Sequence, residues 1–159
     1  MGHGVHGKIL AAVALCRHSA HTLEAARRLA RTDGGTVTVL HVVTLPSFVG
    51  ISSGDARADL DTLERYVHHA GRERLGTLVE RAGLGPGSIA RLAVGDPAQV
   101  IVDEARRMGA DAIVLGAEHH HGFGRLVLGS VAARVRDRSP CPVVVSGSGE
   151  GATPMSARS

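Results

Sequence analysis

Aromatic side chains are scarce in this 159-residue chain: Phe48, Tyr66 and Phe123 are all it has, and tryptophan is absent. Without aromatic platforms it lacks the usual means of stacking single-stranded nucleic acid. The interior must therefore be built from Val, Leu, Ile and Ala. Two cysteines, Cys16 and Cys141, cannot form a disulfide framework and suit a reducing cytosol. No apolar run approaches the roughly 18 residues needed to cross a bilayer. The opening MGHGVHGK has no apolar segment of the secretory kind. Charge of one sign is not concentrated either. The net charge of +3 is spread over Arg27, Arg28, Arg72, Arg74, Arg106, Arg107 and the 134–138 stretch, a pattern of solvated helical faces rather than a nucleic-acid footprint. The expectation is a single cytoplasmic domain spanning residues 8–146. Flanking it are a flexible N-terminus at 1–7 and a disordered tail at 147–159, rich in Gly, Ser, Ala and Pro.

What is present alternates regularly. Residues 8–14, KILAAVA, read as a strand covered on both faces, and Ser19 to about Arg31 reads as a helix with Ser19 as its cap. Thr36–Val43 is a β-branched second strand. The Thr44–Asp55 loop, with Pro46, Gly50 and Gly54, is long enough to act as a flap. Leu60, Leu63, Val67, Ala70, Leu78 and Ala82 mark a long helix over Arg57–Arg81, and Ser88–Val94 is a short third strand. In Gly95-Asp96-Pro97 the Asp caps and the Pro opens the next helix, which Gly109 ends. Ala112–Leu115 is the fourth strand, Gly129 to about Arg138 the last helix, and Val143–Val145 the fifth strand after Pro140-Cys141-Pro142. This βαβαβαβαβ order specifies an α/β domain with helices on both faces of a parallel sheet. In strand order 3-2-1-4-5, the ligand crevice lies beyond the carboxyl ends of the first and fourth strands.

The fourth strand runs into GAEHHHGFGRLVLGS, residues 116–130, and then into a helix. Strand, glycine-bearing loop and helix start form a layout that receives anions, because the first amides of a helix lack partners and its dipole favours negative charge. Other readings of nearby residues are weaker. His119, His120 and His121 offer imidazoles, yet adjacent loop residues seldom converge on one ion, so a solvated or phosphate-proximal loop is the simpler account. Cys16 is a small loop residue or a reactive thiol. Gly124 to Ser130 echoes a phosphate loop but lacks its lysine and follows the wrong strand. No catalytic constellation stands out. Glu118 and Asp96 are candidates only by elimination.

Taken together, KILAAVA with HS and TLEAA, LHVV, GDPA, GADAIVLGA and LGSVAARVRDRSPCPVVV resemble the universal stress protein family from Lys8 to Ser146. The resemblance implies a five-stranded sheet of order 3-2-1-4-5, adenine nucleotide α-hydrolase-like. It also implies a homodimer, often paired through the last strand, here Val143–Val145. ATP-binding members share a pattern of Gly, two residues, Gly, nine residues, Gly and Ser or Thr. Gly116, Gly129 and Ser130 match it, and His119 stands in place of the second glycine. The same resemblance assigns Val42 to the adenine edge and Gly116, Gly129, Ser130 and Val131 to phosphate and ribose, with magnesium accompanying ATP. Binders also carry an Asp at the end of the first strand, where this chain has Ala14, and Gly-Ser where it has Leu15-Cys16. Two functions stay open: an ATP-binding regulatory module of the stress response, or a homodimer of the same fold that has lost nucleotide and acts through protein partners.

Overall fold

The computed structural model describes residues 7–16, 18–32, 34–44, 54–116, 129–147 and 153–155. Chain order is β1 (Lys8–Ala12), α1 (Ser19–Thr32), β2 (Thr36–Val43), α2 (Gly54–Ala82) and β3 (Ile89–Val94). It continues with α3 (Pro97–Met108), β4 (Ala112–Gly116), α4 (Ser130–Arg138), β5 (Val143–Ser146) and β6 (Thr153–Met155). The five long strands are parallel in the expected order 3-2-1-4-5. β1 lies at the centre, with Ile9 level with Val37 on one side and Ala112 on the other.

Period-two alternation along the strands divides the core into two layers. Ile9, Ala11, Val13, Val37, Val39, Ala112 and Val114 pack with Leu23, Ala26 and Leu75 under α1 and α2. Leu10, Leu40, Ile113, Leu115 and Val143 pack with Ile101, Val102, Ala132 and Val135 under α3 and α4. Each fully buried Ile or Leu contributes about 1.5–3 kcal/mol relative to remaining in water. Leu75, 1% exposed, is the deepest described side chain of α2. Sequence periodicity passes over it, because it picks out Leu78 and Ala82 but not the Gly71–Leu75 step. Gly71 lies so close beneath Leu92 of β3 that a Cβ there would meet its Cδ1 at 3.1 Å.

Local chemistry sets the helix ends. Asp96 accepts a hydrogen bond from the Gln99 amide at 2.9 Å, Pro97 opens α3, and Gly109 closes it in the left-handed region at φ 62°. Ser19 behaves differently from the cap expected of it. It is the first residue of α1, and its hydroxyl accepts from the Cys16 amide at 3.1 Å, while the His18 carbonyl takes the first helical amides. The serine thus fastens the β1–α1 loop to the helix rather than filling a helical donor. α2 begins at Gly54, three residues before the expected start at Arg57; of the expected flap, 45–53 lie outside the described residues.

The tail brings a second difference. Residues 147–159 were expected to be without structure, yet Thr153–Met155 pair antiparallel with β5, setting Val143 opposite Met155 and Val145 opposite Thr153. The edge of β5, expected to meet a second copy, is therefore lined by the chain's own sixth strand.

At the opposite edge, Glu104 of α3 sits between Arg91 of β3, at 3.1 Å, and Arg107, at 2.6 Å. The Arg107 hydrogen bond, reinforced by the Arg91 charge, holds its carboxyl below the ordinary value of 4.5. A depressed folded-state value means stability that is fully present above pH 4.5 and is lost as pH falls through the lowered value. Urea denaturation of Glu104→Gln should therefore show a deficit at pH 6 that shrinks steadily below pH 4.5. A deficit constant down to pH 3 would refute the assignment.

Candidate functional site

β1 lies between β2 and β4, so the carboxyl ends of these three parallel strands are adjacent, and α4 packs on the α3/α4 side of the sheet. Ala12 is level with Leu40, and Ala14, expected in the strand, lies two residues past its observed end at Ala12. Ala14 is exposed, and Val42 is half-buried against the α3/α4 layer. The His41 ring holds this end of β1 in place, its Nδ1 lying 2.8 Å from the Val13 carbonyl oxygen.

Gly129 is the N-cap of α4, in extended conformation, with no side-chain hydrogen bond to the first turn. It is buried, Ser130 is exposed, and Val131 packs half-buried against the same apolar layer as Val42. An uncapped helix start carries donors and a positive dipole end, and both suit an anionic ligand. Among the sequence-assigned residues, Val42 and Val131 thus share a layer, and Gly129 and Ser130 open the helix beside it. His119, His120, His121 and Glu118 lie outside the described residues.

Gly116 ends β4, level with Ser146 of β5. A Cβ at this position would stand 3.0 Å from Thr22 Oγ1 of α1. Thr22, 2% exposed, is 3.1 Å from Ser146 Oγ, which is also 3.1 Å from the Leu115 carbonyl oxygen. A buried hydroxyl cluster therefore fills the space a larger residue would need. The motif pattern alone assigns this glycine to the loop and misses its packing reason.

The middle of α4 is tied to the N-cap of α3. Arg134 donates to both Asp96 oxygens, at 3.0 and 2.7 Å, and this pair, with the Gln99 amide, holds the Asp96 carboxyl below its usual range. Asp96 thus serves as cap and as inter-helix tie. Its role is positional.

The β1–α1 loop differs from the family pattern in a way the backbone makes plain. Leu15 has φ 53°, the left-handed region where glycine is relaxed and a branched side chain is strained. Arg74 of α2 donates to its carbonyl at 3.1 Å. Leu15, Cys16, Glu73, Arg74, Thr77, Leu78 and Arg81 line a cavity of about 450 Å3 on the α1/α2 side, across the sheet from Val42 and Val131. Cys16 is exposed and Cys141 buried; burial pushes the Cys141 thiol up, and Ser139 bonds both to its amide and to its carbonyl. Among the described residues, no three His, Cys, Asp or Glu side chains converge on a metal position. Nor is any helix among them long and apolar enough to cross a membrane.

Comparison with known proteins adds family context to this geometry. The model of the universal stress protein family matches residues 6–146. Universal stress protein YxiE of Bacillus subtilis is 31% identical over 144 residues, covering 87% of this chain and 97% of that protein. Among solved structures, universal stress protein UspA from Lactobacillus plantarum superposes with a TM-score of 0.68 at 24% identity, covering 90% of this chain and 99% of the other. A universal stress protein in complex with cAMP superposes with a TM-score of 0.62 at 19% identity, covering 92% and 100%. At these identities, the structural matches speak to the fold alone.

Proposed function

The chain belongs to the universal stress protein family, and from that premise we propose that it is a cytoplasmic adenine-nucleotide-binding module of the stress response. One observation carries this reading: the first turn of α4 starts at Gly129 without a side-chain cap, and its Val131 is half-buried against the same apolar layer as Val42. Phosphate oxygens would take the Ser130 and Val131 amides and the Ser130 hydroxyl, and the adenine edge would take the backbone of Val42. A cAMP-bound member of the same fold supports the ligand class. With ATP, magnesium would be carried by the phosphates. Binding is assigned here, not catalysis.

Denaturing freshly purified protein should release adenine nucleotide, and calorimetric titration with Mg-ATP should saturate. Ser130→Ala removes one neutral hydroxyl, so a loss of roughly two- to tenfold in affinity is expected. Wild-type binding that Ser130→Ala leaves unchanged would place the phosphates elsewhere. A second reading draws on Ala14, an exposed apolar residue where nucleotide-binding members carry a carboxylate. On that reading the pocket is vacant in the cell and the protein works through partner contacts. Mg-ATP titration without heat or saturation would favour it.

A further inference from the structure

We propose that Thr153–Met155 is a removable cap on the outer edge of β5, and that the cap competes for that edge with β5 of a second copy of the chain. The proposal is independent of nucleotide binding. β5 is the last parallel strand, and an uncovered edge strand presents a row of free amides and carbonyls that templates further pairing. Its residues Val143, Val144 and Val145 are all β-branched, the composition that pairs most readily as a strand.

In this chain that edge is closed antiparallel by only three residues, Thr153, Pro154 and Met155, with Pro154 opposite Val144. Backbone groups alternate sides along a strand, so a proline in the middle of a three-residue strand costs no bond when its nitrogen faces away from β5. Thr153 and Met155 then face β5, and the outward side of β6 offers no donor at its centre to the next strand. β6 therefore ends the sheet and blocks its growth.

The cover is also short and tethered by little chain. Six residues, GSGEGA at 147–152, separate β5 from β6. A link of six residues holds the cap at an effective concentration of roughly millimolar, which a competing strand in solution must overcome. A second copy's β5 is suited to do so. Two copies related by a two-fold axis through this edge pair antiparallel, as β6 does, and each supplies four residues where β6 supplies three. The edge thus has two occupants of the same orientation, and tail release switches between them.

Sedimentation velocity over a concentration series, on the full chain and on one ending at Gly147, tests the idea. The shortened chain should self-associate roughly tenfold or more tightly than the full chain. Equal association constants, or a shortened chain that stays monomeric, would overturn the proposal. Val144→Cys with Pro154→Cys, in a Cys16→Ser background, gives a second test that does not depend on the truncation folding. Directly opposed antiparallel residues are within disulfide reach. Oxidation should cross-link the pair within one chain and suppress association relative to the reduced form. Failure to cross-link within the chain, or equal association of the two forms, would refute the cap.

Discussion

Ala14→Asp should tighten binding of adenine nucleotide roughly ten- to a hundredfold. The exposed Ala14 stands two residues beyond the carboxyl end of the central strand, whose Ala12 packs against the same layer as Val42 and Val131. A carboxylate there can accept from a ribose hydroxyl, and a hydrogen bond to a charged group contributes about 1.5–3 kcal/mol, the tenfold to hundredfold stated. The backbone is already in place, since the Val13 amide donates to the Leu40 carbonyl at 2.9 Å and His41 holds the Val13 carbonyl. Calorimetric titration with Mg-ATP measures the gain. Adding His119→Gly separates the two departures from the family pattern. If only the double variant gains, the loop residue is the dominant obstacle. If neither gains, the nucleoside does not lie over β1.

Ile113→Ala should have the largest effect on stability. Ile113 is fully buried on β4, between β1 and β5, in the layer under α3 and α4. Removing three carbons from such a position costs about 2–5 kcal/mol through lost transfer energy and the cavity left behind. Against a total stability of about 5–15 kcal/mol for a domain of this kind, that moves the urea midpoint strongly. Lacking tryptophan, the chain is best followed by far-ultraviolet circular dichroism. Ile89→Ala is the matched control: Ile89 is 49% exposed on the edge strand β3, and the same truncation there should change stability by no more than about 0.5 kcal/mol. Similar losses at the two positions would contradict the two-layer core.

How much of this was legible without coordinates follows from how local each signal is. β1, β2, β4 and β5 are short apolar or β-branched runs bounded by Gly, Pro or Asp, and α3 is announced by Asp96-Pro97. These features lie within a few residues of one another, and the structure has the elements where they indicate. Leu75 is missed because its burial comes from packing against residues of β1, β2 and α1 that are distant in the chain. The Asp96–Arg134 tie spans 38 residues and leaves no mark in either local sequence. β6 is illegible for another reason: Thr-Pro-Met has no strand character alone, and it pairs only because β5 leaves an edge beside it. At the candidate site, Gly129, Ser130 and Val131 are named by the family resemblance. That Val42 shares their layer depends on the alternation of β2, which is readable once strand order is known. The reason Gly116 must stay small lies in Thr22 and Ser146, 94 and 30 residues away, beyond any motif.

The central position of β1 bears on how the protein is made. Its neighbours are β2, close behind it in the chain, and β4, whose Ala112 is level with Ile9. During synthesis the first strand to leave the ribosome therefore finds one partner early and waits for about a hundred more residues before the other emerges. Through that interval one backbone edge of β1 stands open, in the part of the sheet that is finally the most deeply buried. Nascent chains stalled shortly before residue 112 should accordingly be the species that chaperones hold longest.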